Sequence, residues 1–204
     1  MIEVEKRFVN VTDENKRALI EDAELLKNKV NVDTYYDQDD FSLTLSDRWL
    51  RKRNDQFELK VPIAVGSKTE PTQVYRELET DGEIYEALGL PQVTVLEEDL
   101  AKAGFKAFMT ARTSRGSYKG NGFNIDIDES TFDGQEFTYD GVDIEVMVEE
   151  ESDIVTATQR ILDFARERGL SIDDNPLGKI GTYVKNARPE HYRALVEAGV
   201  LPEV

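Results

Sequence analysis

Residues 2–9 read IEVEKRFV and residues 123–128 read FNIDID. In both, apolar and charged or polar side chains alternate with a period of two, the signature of a strand with one face dry. Working outward from these two stretches, the same pattern recurs. Lys29 to Tyr36 is rich in β-formers, and Gln73 to Glu79 alternates. Arg48 to Arg53 and Gln56 to Val61 flank Asn54-Asp55, a hairpin signal. Phe105 to Tyr118 and Phe123 to Phe132 flank Lys119-Gly120-Asn121-Gly122, and Thr138 to Val148 follows Asp133-Gly134. That makes about eight strands, mostly in hairpin order, so the sheet is expected to be antiparallel. Helices are expected over 13–27, 92–103, Ser152 to Arg168, 177–187 and from Pro189 at N1 to Ala198. No Pro/Gly/Ser-rich linker divides residues 1–204, which read as one α+β domain with the strands needed for a small closed barrel.

The rows opposite the apolar ones carry charge. They hold Glu3, Glu5 and Arg7; Arg51 and Arg53; Glu58 and Lys60; Glu77 and Glu79; Arg112; Asp126 and Asp128; Asp143, Glu145 and Glu149. Two readings compete. Such rows can be a solvated sheet face with helices behind it. Alternatively, eight antiparallel strands close and the charged face becomes an interior. The segregation of acids and bases by strand favours closure. A closed interior rich in both signs is costly unless it binds something. A polyanion together with a divalent metal balances both. Arg and Lys hold phosphate oxygens, and carboxylates hold a hard cation.

Composition narrows the chemistry. The chain has 25 Lys+Arg against 42 Asp+Glu, a net charge of −17, which disfavours nucleic acid and anionic membrane as partners. It has no cysteine and one histidine, His191, so disulfides, thiolate zinc sites and a thiol nucleophile are excluded. Any metal is therefore expected to be oxygen-liganded, Mg²⁺ or Mn²⁺ rather than zinc. No apolar run approaches the ~18 residues of a membrane span, and the charged N-terminus is unlike a signal peptide. The expectation is a cytoplasmic monomer acting on a small molecule.

Residues 2–8 resemble the ExExK signature that opens the CYTH, or triphosphate tunnel metalloenzyme, superfamily. The resemblance continues in order through nearly the whole chain. It runs through Asp33-Thr34-Tyr35-Tyr36-Asp37, Asp47 to Arg53, Glu58-Leu59-Lys60, Tyr75 to Leu78 and Thr110-Ala111-Arg112. Asp126-Ile127-Asp128, Asp143-Ile144-Glu145, Gly178-Lys179-Ile180, Tyr183 and Arg188-Pro189-Glu190-His191-Tyr192 complete it. The Trp before R-x-R and the R-P-x-x-Y ending are most similar to the superfamily's animal-type thiamine triphosphatases.

The resemblance implies an eight-stranded tunnel that cleaves the terminal phosphate of a triphosphate with Mg²⁺ or Mn²⁺, thiamine triphosphate being the first candidate substrate. It implies Glu3, Glu5, Asp128 and Glu145 as metal ligands, with Asp143 in the same shell. Arg7, Arg51, Arg53, Lys60, Arg112 and Lys179 would hold phosphates, and Glu5, Arg53 and Glu145 would carry the chemistry. Trp49 is open between core packing and contact with an organic group. Two positions depart from the pattern. Arg7 stands where the signature has lysine, and Lys6, one place early, points to the other face by parity. Asp143 stands where the animal-type branch usually has Glu. Competing readings are hydrolysis of inorganic triphosphate or a nucleotide, an adenylate cyclase-like reaction, a non-catalytic polyphosphate-binding module, and an acidic interaction domain. His191 is expected on a helix surface.

Overall fold

A computed structural model describes residues 1–63, 72–172 and 176–204. Its eight strands are β1 (Ile2–Val9), β2 (Glu24–Asp37), β3 (Trp49–Arg53), β4 (Gln56–Pro62), β5 (Gln73–Leu78), β6 (Lys106–Gly120), β7 (Phe123–Phe132) and β8 (Thr138–Val148). They form a closed barrel in the order β1-β5-β4-β3-β2-β6-β7-β8, and every neighbouring pair is antiparallel. Tight turns make the local pairings. Asn54 and Asn121 take the left-handed conformation, with φ of 54° at both, and Gly122 follows at 80°. The non-local pairings close the ring, where β1 inserts between β5 and β8 and β2 runs beside β6.

The barrel is apolar outside and charged inside. Two pairs of helices cover its outer rows, and a third packs on aromatic residues that line its interior. Helix α4 (Ile154–Glu167), amphipathic through Ile154, Ala157, Ile161, Phe164 and Ala165, packs with α1 (Asp13–Ile20) over Val4, Ile125, Val142 and Ile144. Helices α2 (Asp81–Leu88) and α3 (Leu96–Lys102) cover Leu50, Phe57 and Leu59. Helices α5 (Lys179–Ala187) and α6 (Pro189–Glu197) close over Tyr35, Trp49, Tyr75 and Tyr139. Each fully covered Leu or Ile is worth about 1.5–3 kcal/mol, so the folding drive lies between barrel and helices. Among the described residues, no helix is long and apolar enough to cross a membrane.

The structure corrects several element boundaries. The helix expected over 13–27 ends at Ile20, and 24–28 are strand. Leu19, Ala23 and Leu26 have helical spacing, but backbone pairing with the long β6 takes the segment, and Leu25 and Leu26 stay exposed. Helix α2 lies between the expected strand Gln73 to Glu79 and the expected helix 92–103, where no element is expected from the sequence. It is fixed by a reciprocal capping box between Thr80 and Glu83 and by Gly89 at φ 65°.

His191 is also not a surface residue. It is buried, stacked on Phe41 at 4.1 Å between ring centroids and edge-on to Phe108 at 5.2 Å. Its Nε2 lies 2.7 Å from Thr44 Oγ1, while Nδ1 has no hydrogen-bond partner. Burial pushes the imidazole down to about 4; Asp37 opposes this and Arg188 adds to it. The folded state therefore binds fewer protons than the unfolded chain between pH about 4 and 6.5. The contribution is complete above pH 6.5 and is lost as pH falls toward 4. His191→Phe keeps the aromatic stack without the titration. Denaturant melts at pH 7.5 and 4.5 are expected to show the variant losing less stability on acidification than the wild type. An equal loss would contradict this account.

Candidate active site in the barrel interior

Inward side chains surround a cavity of about 390 Å³ inside the barrel. Alternation on β1 sends Glu3, Glu5 and Arg7 into it, while Lys6 takes the outer face, 5.9 Å from the Phe8 ring centroid. Strand β3 contributes Trp49, Arg51 and Arg53, β4 contributes Lys60, and β8 contributes Asp143 and Glu145. Lys179 enters from the first turn of α5. Thus the period-two reading of β1, β3, β4 and β8 matches the placement of these side chains.

The interior charges are paired. Arg53 Nε meets Asp33 Oδ1 at 2.7 Å, and Lys179 Nζ meets Asp33 Oδ2 at 2.9 Å. Burial alone would raise the Asp33 carboxyl, but Arg53 and Lys179 override it and hold it well below the carboxylate range. Arg51 lies 2.5 Å from Glu58 and 3.6 Å from Glu77. Lys60 reaches Glu3 at 2.5 Å, Glu77 at 3.2 Å and Glu5 at 3.7 Å. On the opposite wall, Arg7 bridges Glu5 and Asp143, both at 2.8 Å. Removing one partner from a buried pair of this kind costs about 3–5 kcal/mol.

Among the described residues, one acidic cluster is only partly neutralised by these pairs. Carboxylate oxygens of Glu3, Glu5 and Glu145 lie within 4.8 Å of one another. The strand register makes this cluster: Glu5 is directly across from Glu145 in the β1–β8 ladder, and Glu3 is two residues along. Burial and then the Glu3 charge push Glu145 up to about 9. Burial also raises Glu5, with Lys60 and Arg7 opposing and Glu3 and Asp143 adding. Glu3 stays low because Lys60 overrides its burial. At neutral pH the trio therefore holds a proton that a cation could replace. Converging oxygen donors with neither nitrogen nor sulfur suit a hard divalent ion such as Mg²⁺ or Mn²⁺.

Two expected ligands line the cavity without joining this trio, and a third expected site residue lies outside it. Asp128 is gripped by Arg115, 2.6 Å from Nη2, and Asp143 by Arg7, so neither joins the trio. Arg112 is on the outside of the barrel, exposed in a shallow depression with Glu129 and Thr131. The residue inside is Arg115, paired with both Asp126 and Asp128. The register explains the correction. Arg115 lies across from Asp128 and Arg112 across from Thr131, and directly opposed residues share a face. Counting back from the Asn121-Gly122 turn would have found Arg115. Asp33 is a second residue that the charged rows missed, because β2 was read for its β-formers alone.

Residues 1–175 match the CYTH domain. The chain belongs to the CYTH family. The thiamine-triphosphatases of Homo sapiens and Macaca fascicularis are each 29% identical to it, over 97% of this chain and 90% of theirs. Among solved structures, the PH1819 protein of Pyrococcus horikoshii superposes with a TM-score of 0.56 at 24% identity, covering 83% of this chain and 91% of that one. A putative adenylyl cyclase from Hippeastrum, described as having a dominant triphosphatase activity, superposes at 0.54 with 16% identity, over 90% and 96%. These two likenesses show the fold. Within this CYTH barrel, acids and bases face each other across one cavity, an arrangement able to hold a polyanion and a cation together.

The placement of the two arginines gives a direct test. Arg115→Ala is expected to weaken competitive binding of tripolyphosphate by roughly tenfold or more, the scale of one charge-assisted contact. Arg112→Ala is expected to match the wild type. Isothermal titration of both variants checks the pair, and the reverse order would refute the assigned faces.

Proposed function

We propose that the protein is a metal-dependent triphosphatase that cleaves thiamine triphosphate to thiamine diphosphate and phosphate. The observation that carries this reading is the Glu3–Glu5–Glu145 trio facing a basic wall inside a closed tunnel. The thiamine-triphosphatases that align along nearly the whole chain support it. The working unit is taken as residues 1–204, because Lys179 of α5 completes the basic lining. We take it as a cytoplasmic monomer.

Arg51, Arg53, Lys60, Arg7, Arg115 and Lys179 hold the phosphate oxygens. Each is already held in place by a carboxylate, so substrate binding exchanges one anion for another and little side-chain ordering remains. Glu3, Glu5 and Glu145 would hold Mg²⁺ or Mn²⁺, which when bound withdraws charge from the terminal phosphoryl oxygens. Arg53 and Lys179 share Asp33, which keeps both cations aimed at one point along the tunnel. Glu5, Arg53 and Glu145 are the residues on which turnover depends most. The enclosed cavity limits water around the reacting group, and fixed charges there act more strongly than in bulk solvent.

Trp49 supports thiamine over bare triphosphate. It lines the same cavity as Arg51, two residues away on one strand face, and lies across from Lys60 in the ladder. An indole face attracts a thiazolium cation by ~0.5–2 kcal/mol.

Two measurements test the reading. Phosphate release is expected to cease with EDTA and to fall at least a hundredfold in Glu5→Gln, with the circular dichroism spectrum retained. Wild-type rates without divalent metal would overturn the metal assignment. Trp49→Ala is expected to lower kcat/KM for thiamine triphosphate by roughly 3- to 30-fold and to spare tripolyphosphate. Equal losses on both, with a lower melting temperature, would make Trp49 a packing residue.

A further inference from the structure

Two cations on the cavity wall stand outside the pairing described above. Lys27 and Lys29 of β2 both line the cavity. Among the described residues neither forms an ion pair or a hydrogen bond, whereas Arg53, Arg115 and Lys179 each meet a carboxylate. The chain has 42 Asp+Glu, so the lack of a partner is not a shortage of acids.

The strand register places these lysines. Along β3 the inward row runs Trp49, Arg51, Arg53, and in the β2–β3 ladder Tyr35 is across from Arg51 and Asp33 across from Arg53. Continuing along β2 with the same period gives Asn31, Lys29 and Lys27. The lysines therefore lie past Arg53, on the side away from Trp49. Burial falls along this row: Asp33 and Asn31 are buried, Lys29 is half-buried and Lys27 is exposed. The row thus carries the cavity wall from the interior out to solvent. Lys29 is directly across from Arg115 in the β2–β6 ladder, which sets their Cβ atoms about 4.5–5.5 Å apart. Lys27 is across from Ser117, which also lines the cavity.

This end of the wall holds donors without acceptors. On the same row, the buried Asn31 Nδ2 has no hydrogen-bond partner. Burial, and then Lys27, Arg53 and Arg115, lower the Lys29 ammonium; Asp126 opposes them but is itself held by Arg115. Cations gathered without a counter-charge repel one another, and an anion removes that cost. Lysines serving solubility alone would suit the outer row, where the exposed Val30 stands instead. Phosphoryl oxygens are the acceptors that the neighbouring basic wall already suits.

We propose that Lys27 and Lys29 form a further anion subsite beyond Arg115, which takes the fourth phosphate of a linear polyphosphate. The cavity then binds inorganic chains longer than a triphosphate, with the extra phosphate on the side away from the Trp49 indole. The proposal rests on the triphosphatase reading above for the place of the first three phosphates.

Isothermal titration of the full chain with tripolyphosphate and with tetrapolyphosphate tests it, in EDTA so that neither is turned over. The wild type is expected to bind tetrapolyphosphate roughly 5- to 20-fold tighter than tripolyphosphate, the scale of a charge-assisted contact partly open to solvent. In Lys27→Ala/Lys29→Ala that gain is expected to shrink to about twofold or less. Tripolyphosphate affinity is expected to stay within about twofold of the wild type, which also reports an intact cavity. Lys27→Arg/Lys29→Arg should keep the gain. Equal affinity of the wild type for the two chain lengths, or a double alanine variant that loses both in proportion, would overturn the subsite. Orthophosphate, the product, is the other source of such an anion. If the double alanine variant loses affinity for orthophosphate yet keeps the tetrapolyphosphate gain, the lysines hold the released phosphate and the fourth-phosphate assignment fails. If tripolyphosphate does not bind the wild type at all, the triphosphatase reading falls and this inference with it. If tripolyphosphate binds and the chain-length gain is absent, this inference falls alone.

Discussion

A charged side chain inside a closed barrel keeps its charge only if another charge or a dense set of hydrogen bonds replaces the water it has lost. That condition organises this molecule. Asp33 is fully buried yet ionised, because Arg53 and Lys179 both reach it. Arg115 is held between Asp126 and Asp128, and Arg7 between Glu5 and Asp143. The same condition turns the barrel inside out: with its charges facing inward, the apolar rows face outward and require helices over them. The α1–α4 and α2–α3 pairs supply that cover, while α5 and α6 pack on aromatics lining the interior and bring Lys179 to the tunnel.

Pairing is incomplete at the acidic trio, and that is where a ligand fits. Among the described residues, Glu3, Glu5 and Glu145 converge with Lys60, Arg7 and Asn124 beside them, and burial with the Glu3 charge pushes Glu145 up to about 9. A triphosphate bound with a divalent ion supplies both missing signs. On the proposed reading, the phosphates would take over the cations now held by carboxylates, and Glu3, Glu5 and Glu145 would hold the ion in place of their shared proton. The fold and the chemistry thus follow from one arrangement of alternating residues. The excess of acids in the sequence is not opposed to anion binding, because cations such as Arg51, Arg53 and Lys60 are gathered inside.

Much of this was legible in the sequence because the strand period is two and leaves no freedom in facing. Strands β1, β7 and β8 have the boundaries that alternation predicts, and Glu3, Glu5, Glu145, Arg51, Arg53 and Lys60 face inward as parity requires. What failed depended on partners far along the chain. Leu25 and Leu26 look like a helix face, and only pairing with β6 makes them strand. Arg112 stands in the charged rows and in a motif block, but the β6–β7 register puts Arg115, not Arg112, on the face of Asp128. His191 looked like a polar helix residue, and nothing local announces that Phe41, some 150 positions earlier, stacks on it. Helix α2 has a local signal, Thr80 to Glu83 and Gly89, in a stretch to which alternation assigns no element.

The interior is proposed to hold a divalent ion and a triphosphate side by side, the ion on Glu3, Glu5 and Glu145 and the phosphates on the basic wall. Crystals grown with tripolyphosphate and Mn²⁺ test it most directly, because manganese scatters anomalously and so can be located independently of the phosphate density. The account predicts an anomalous peak within coordination distance of all three glutamates, with phosphate density bridging it to Arg51, Arg53 or Arg115. A strong manganese peak only outside the barrel, or triphosphate bound in the tunnel with no metal on the trio, would contradict it.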